Sequence, residues 1–483
     1  MAGRPDSGSG ASLFWTSADP DVARARQLAG KGRFAEAEKL LGAAPPAGEP
    51  DADRARAEGI EILRRIRRDY SLDAESLLER LRPTLPDVSA ADLERWRATG
   101  QVQHRLIDGR VCYFRREPAN LWRFCEEARR ARDAKDGAPG ARRTQAWQAL
   151  RTHLKEALAA ADRTGTPEVL PVRHKVRYRL TVKPDRLKAG QRVRCWLPFP
   201  QQWNRQRDVK LIATRPEAHQ VAPTATEGDP PRGALQRTVY FEQRVDCASE
   251  PIAFEAEYSF VNSAFCPALA DDRAQPSSTG CCRRWLAERR PHIVFTDELK
   301  RTVDALTVGV PNPLARARKI FEWVAANIRY CAEQEYATIP SLTRWGLKRR
   351  RGDCGLQAML FIAMCRYADV PARWQSGWVT FTGLIDMHDW AEFYVAPWGW
   401  LPADVSYGPM ASDDPRVRMF YFGSIDAYRM IVNVDYGAPL DPPTESLRSE
   451  PADFQRGEVE VDGRNLYFDE WDYAFTSSVE AIE

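Results

Sequence analysis

The run RGDCGLQAMLFIAMCRYA, residues 351–368, constrains this chain more than any other stretch. Gly352 and Asp353 end a loop, and from Cys354 onward apolar residues recur at helical spacing. Cys354 is thereby placed at a helix N-terminus, where unpaired backbone N–H groups and the helix dipole favour the thiolate, the form that attacks carbonyls. A nucleophilic cysteine needs a base, and the base needs a partner to fix its tautomer. Candidates for both follow in order. His388 opens HDWAEFYV, an alternating run that reads as a strand, and Asp404 lies in GWLPADVSYG, the next run of strand character after the turn at 396–399. Spacings of 34 and 16 residues are compact enough for helix, strand and strand to bring the three side chains together.

Read together, GDCGLQAMLFIAMCRYADVPARWQSGW, MHDWAEFYV and GWLPADVSYG resemble the three motifs of the transglutaminase-like superfamily, in its Cys, His, Asp order. The likeness spans about residues 290–440. It implies an α+β fold, with a papain-like core in which the cysteine helix packs on an antiparallel sheet. The family's catalytic cysteine maps onto Cys354, its histidine onto His388 and its aspartate onto Asp404. Singly, each residue also reads as a buried inert thiol, a satisfied core histidine or a turn carboxylate; the ordered trio outweighs those readings. The stretch CAEQEYATIPSLTRWGLKRR should border the cleft. Gln334 is the first choice there for an oxyanion-hole side chain, ahead of Trp345 and Tyr330, while the backbone N–H of Cys354 is the more secure donor. The implied chemistry is acyl transfer through a thioester on peptide or amide bonds, hydrolysis rather than cross-linking. It needs no metal and no organic cofactor, and its partner is a protein or peptide substrate.

Composition narrows the alternatives. A chain of 483 residues is too long for one ordinary core and calls for two to four domains. Lys and Arg number 70 against 67 Asp and Glu, which gives no argument for nucleic acid or an acidic partner. Ten cysteines without a CxxC pair and six dispersed histidines make no zinc-ligand cluster. No apolar span is long enough for a membrane helix, and the first twenty residues lack the apolar segment of a signal peptide, so a cytoplasmic location is expected.

Along the chain, residues 1–18 read as a disordered Gly/Ser-rich tail, and 19–48 as a helical hairpin followed by a linker at 45–50. Residues 49–165 carry helical periodicity, with Ser71 and Ser89 as expected N-caps and a hairpin turning at Asp108-Gly109. This is the outline of a winged-helix-like module. No basic recognition helix stands out, so a structural or docking role is expected rather than DNA binding. Residues 134–145 read as a further linker. From 168 to 265 the period changes to two, and five strand-like runs predict a β-sandwich. The catalytic core is expected over 285–440, with helices capped by Thr296 and Asn312. The second helix should bury a stripe of Leu314, Ile320, Phe321, Val324 and Ile328. The aromatic-rich extension at 441–483 is expected to pack back over the core. A function from another class, a non-catalytic scaffold that retains the fold, competes with the enzyme reading.

Overall fold

The structure is a computed structural model that describes residues 12–43, 49–136, 141–228, 230–231, 233–276 and 280–482. The chain forms two compact units, residues 11–144 with 330–340, and residues 145–329 with 341–483.

The first unit is mainly helical. Helices α1 (Pro20–Gly30) and α2 (Phe34–Ala43) form a hairpin, and the Asp19 carboxylate caps α1 by accepting from the Val22 N–H at 3.0 Å. Helix α3 (Pro50–Asp69) begins on a proline, carries Asp51 and Asp53 in its first turn and Arg67 and Arg68 in its last, in accord with the helix dipole. Helices α4 (Ala74–Leu81) and α5 (Ala90–Ala98) follow. Ser89 caps α5 in a box with Asp92 as expected, but α4 is capped by Asp73 instead of Ser71, because the helix starts two residues later. Strands β1 (His104–Ile107) and β2 (Arg110–Tyr113) pair through a turn in which Asp108 and Gly109 both have positive φ, the conformation that favours this dipeptide. Helices α6 (Glu117–Phe124) and α7 (Glu126–Asp136) complete the unit, and Leu77, Leu81, Leu93, Trp96, Tyr113 and Leu121 share one apolar cluster.

Three sequence expectations change here. Residues 1–11 of the expected tail lie outside the described residues, but from Ser12 the chain is structured, with a helical turn at Leu13–Thr16 that buries Phe14. The linker at 45–50 falls largely on residues outside the description, and Pro50 already belongs to α3. The linker at 134–145 is helical at both ends, with residues 137–140 outside the description.

The second unit holds helix α8 (Ala141–Thr164) and three antiparallel sheets. The five strand-like runs of 168–265 become β3 (Glu168–Val182), β4 (Arg192–Pro198), β5 (Arg207–Arg215), β7 (Thr238–Arg244) and β8 (Ile252–Phe265), with a short β6 (Gln220–Val221) between them. Strand β3 alternates buried Val176, Tyr178, Leu180 and Val182 with outward Lys175, Arg177 and Arg179, the pattern of a sheet with one buried face. Helices α9 (Asp297–Thr307), α10 (Pro313–Asn327), α11 (Leu342–Arg349) and α12 (Cys354–Tyr367) precede the third sheet. The expected stripe of α10 is buried at all five positions, and Thr296 and Asn312 cap as expected. Strands β9 (Ala372–Val379), β10 (Asp386–Val395), β11 (Gly399–Ala403) and β12 (Arg429–Asn433) form that sheet in the order β11-β10-β9-β12.

The C-terminal residues are distributed differently from the expectation. Strand β13 (Glu458–Val461) pairs with β4, with the short β14 (Arg464–Asn465) at its other edge, and β15 (Trp471–Ala481) pairs with β3 along eleven residues. They complete the two sheets of 168–265 in the orders β14-β13-β4-β7-β6 and β15-β3-β8-β5. One apolar cluster joins these sheets, with Trp196, Phe241, Phe254 and Trp471, to Trp378 and Met430 of the third sheet. The loop before β13 reaches the candidate site through Gln455.

Candidate active site

Cys354 is the first residue of α12, whose N-cap Asp353 accepts from the Leu356 N–H at 3.2 Å. Thirteen of the fourteen residues of this helix are buried, so no amphipathic face marks it. Its first-turn N–H groups, that of Cys354 among them, lack intrahelical acceptors. The Cys354 thiol donates to Oδ2 of Asp389 at 3.3 Å. The helix N-terminus does not leave this thiol acidic. Burial pushes it well above its ordinary value, and the carboxylates of Asp389 and Asp353 push the same way. Against the expectation of a favoured thiolate, burial and two acidic neighbours act to hold the proton on the sulfur.

His388 and Asp404 do meet. The imidazole Nε2 donates to Asp404 Oδ2 at 2.8 Å, with both side chains buried, and Ser406 Oγ donates to Asp404 Oδ1 at 3.0 Å. Burial works against the charge of Asp404, but His388 and Arg429 hold its carboxyl below the usual carboxylate range. The Tyr407 ring stands edge-on to the imidazole with centroids 4.8 Å apart. Among the described residues no hydrogen bond joins Cys354 to His388. The residue of β10 that meets the thiol is Asp389, next in sequence to His388, whose ring lies beside that of Trp390 with centroids 6.0 Å apart. The structure thus joins His388 to Asp404 and gives Cys354 a different partner.

Gln334 belongs to the first unit. Its Oε1 accepts from the Tyr70 hydroxyl at 2.9 Å, and its Nε2 donates to Thr338 O at 3.1 Å and to Thr338 Oγ1 at 2.7 Å. Its amide nitrogen is thus engaged within the first unit. Trp345 carries the Arg349 guanidinium over its ring at 4.7 Å, and Tyr330 is an exposed residue of the first unit.

Sequence reasoning passed over three residues. Asp389 holds the thiol. Gln455, in the loop before β13, donates from Nε2 to Asp389 Oδ1 at 2.8 Å and to the His388 carbonyl at 2.9 Å. Arg429 of β12 lies 3.1 Å from Asp404 and 3.2 Å from Asp426. The one local signal was the acidic residue directly after the histidine in MHDW.

Residues 300–405, from α9 to just past Asp404, match the transglutaminase-like superfamily. The likeness is to that stretch, and it takes in Cys354, His388 and Asp404. The matched stretch carries α12 and strands β9, β10 and β11 of the four-stranded sheet. Three solved structures are similar at low identity. A proposed cysteine protease from Cytophaga hutchinsonii is 13% identical, with a TM-score of 0.44, over 65% of this chain and 92% of that one. The periplasmic domain of TgpA from Pseudomonas aeruginosa is 17% identical, with a TM-score of 0.27, over 51% of this chain and 91% of its own. A proposed protease from Parabacteroides distasonis is 11% identical, with a TM-score of 0.22, over 57% and 49%. Comparison with curated proteins gives no match.

Proposed function

We propose that this transglutaminase-like chain is a cysteine enzyme that transfers acyl groups from peptide or amide bonds, with Cys354 as nucleophile, His388 as base and Asp404 as the residue that orients it. The observation that carries the reading is the 2.8 Å bond from His388 Nε2 to a buried, ionised Asp404. With Nε2–H given to the carboxylate, Nδ1 is left as the basic nitrogen. In the reaction it takes the Cys354 thiol proton as sulfur bonds to the carbonyl carbon and the carbonyl electron pair moves to oxygen. First-turn N–H groups of α12 would receive that oxyanion, a contribution of about 3 kcal/mol per donor. Collapse breaks the carbon–nitrogen bond and the imidazolium proton leaves with the amine. Water then adds to the thioester, its proton going to Nδ1, and the acid leaves as the thiol is restored. Hydrolysis is favoured over transfer to a lysine amine. The expected substrate is a protein or peptide, in a cytoplasmic setting.

The test is a defined peptide library incubated with the full chain and with Cys354→Ala, read by mass spectrometry, with hydroxylamine added to trap the acyl group. Cleavage lost in the variant and hydroxamate formed in its presence are the expected results. Equal turnover by Cys354→Ala would overturn the reading. One observation favours a scaffold instead: the thiol is bonded to Asp389 rather than to the imidazole. Absence of both cleavage and hydroxamate across the library would select it.

A further inference from the structure

The loop before β13 is built into the site through hydrogen bonds at nearly every step. The N–H of Gln455 donates to Glu450 Oε2 at 2.8 Å, and its carbonyl accepts from Trp378 Nε1 at 2.9 Å. Glu450 also accepts from the Arg456 N–H at 2.8 Å, and the N–H groups of Ser449 and Glu450 donate to the Glu458 carboxylate at 2.8 and 2.7 Å. Gln455 is thereby fixed, and both hydrogens of its amide are spent, one on Asp389 and one on the His388 carbonyl. A hydrogen-bonded chain runs from the anchored strand β13 through Gln455 and Asp389 to the sulfur of Cys354.

We propose that Asp389 is a positioning residue that keeps the Cys354 thiol protonated and turned from the imidazole, and that Gln455 is the clasp that holds Asp389 in that pose. This rests on the reading of Cys354 as the nucleophile. The charged groups that face Asp389 are Asp353 from the head of α12 and Asp453 and Glu450 from the C-terminal loop, the last paired with Arg456. Ionising the thiol adds negative charge to a site with three other carboxyl groups around the pair. Burial, with Asp453 and Asp353, holds the Asp389 carboxyl itself well above the usual range. Wherever Asp389 is ionised, the thiol it accepts from at 3.3 Å must lose its proton beside an anion. Replacing the carboxyl by an amide removes that anion and leaves an acceptor in place.

The experiment is the rate of Cys354 alkylation by iodoacetamide in the full chain from pH 6 to 10, read on the modified peptide. Wild type, Asp389→Asn and Gln455→Met are compared, with Cys365 followed in the same samples. Cys365 lies on the same helix and is fully buried, so it reports loosening of α12. In Asp389→Asn the profile should move to lower pH by about one unit, which is about tenfold faster labelling at pH 7.5. Gln455→Met, which has no amide to donate, should also speed Cys354 while Cys365 stays protected. An unchanged Cys354 profile in Asp389→Asn, or parallel gains at Cys354 and Cys365, would overturn the proposal. If Asp389→Asn does not fold, Gln455→Met carries the test with the same two readouts. No substrate is involved, so failure here is separate from failure of the library assay.

Discussion

Arg429 Nη2 lies 3.1 Å from Oδ2 of Asp404, the same oxygen that His388 Nε2 reaches at 2.8 Å. The guanidinium is fully buried, shares a second carboxylate with Asp426 at 3.2 Å, and stacks over the Tyr407 ring at 4.1 Å. Burial pulls against its charge, yet Asp426 and Asp404 raise it above its ordinary value. One cation thus bridges two buried carboxylates, and one of them is the partner of the candidate base. Asp404 has oxygen to spare because Ser406 and the imidazole take different atoms.

Removing one partner of a buried ion pair leaves the other uncompensated. Arg429→Met is therefore expected to lower unfolding stability at pH 7 by roughly 3–5 kcal/mol in urea titrations. Since Asp404 has a depressed value, its share of stability is present above its unfolded value and lost as pH falls through the folded one. The gap between variant and wild type should accordingly narrow in acid. A loss under 1 kcal/mol at pH 7 would mean that the cation is dispensable.

Asp404→Asn keeps the shape of the side chain and removes its charge. An amide there can present its N–H to the imidazole and favour the other tautomer, which takes the lone pair from Nδ1. If the triad works as proposed, kcat for peptide hydrolysis should fall by about 10²–10⁴ with KM nearly unchanged. A matched rise in KM with kcat preserved would place Asp404 in binding and not in proton transfer.

How far the sequence led can be judged residue by residue. The stripe of α10, the helix behind Cys354 and the five strand runs of 168–265 were legible because each depends on periodicity within one element. The roles of β13 and β15 were not. DEWDYAFTSSVEA does not disclose that its partner is β3, some three hundred residues earlier, because strand pairing is a nonlocal choice. The thiol's proton was misjudged for the same reason. The helix N-terminus is local, but Asp389 and Gln455 arrive from other elements, and sequence alone does not reveal which face of β10 α12 covers. The His388 and Asp404 pairing was readable from motif order, whereas Arg429 had no local signal.

In the helical unit, Asp69 is fully buried beside Glu335. Burial first and the Glu335 charge second push its carboxyl up to about 7, against the pull of Arg115 and of the Glu335 N–H, which donates to it at 3.2 Å. A folded value above the unfolded value of about 3.9 means that its stabilising share is complete below that value. It is lost as pH rises through 7, on the order of 4 kcal/mol for a shift of about three units. Asp69→Asn should therefore gain on wild type between pH 4 and 7.5. Hydrogen exchange of the peptide covering α3, corrected for intrinsic rates, measures this. A difference that does not vary with pH would show that Asp69 is already ionised at pH 5.

His174 gives the opposite sign. Its ring is fully buried on β3, stacked on Phe260 with centroids 4.6 Å apart; Nε2 donates to the Ala427 carbonyl at 3.0 Å, and Nδ1 lies 3.2 Å from Thr380 Oγ1. Burial lowers it to about 4, with the Ala427 carbonyl and Asp426 opposing. A depressed folded value means that its share of stability is whole above the unfolded value of about 6.5 and is lost as pH falls through 4. The size is about 3 kcal/mol for a shift of some two and a half units. His174→Gln retains a donor and an acceptor but cannot take up the proton. Its stability deficit relative to wild type at pH 7 should shrink by that amount by pH 4 in urea unfolding monitored by circular dichroism. A deficit that stays constant over this range would mean that the imidazole is already charged in the fold, and the 3.0 Å contact with Ala427 would then be a bond from an imidazolium.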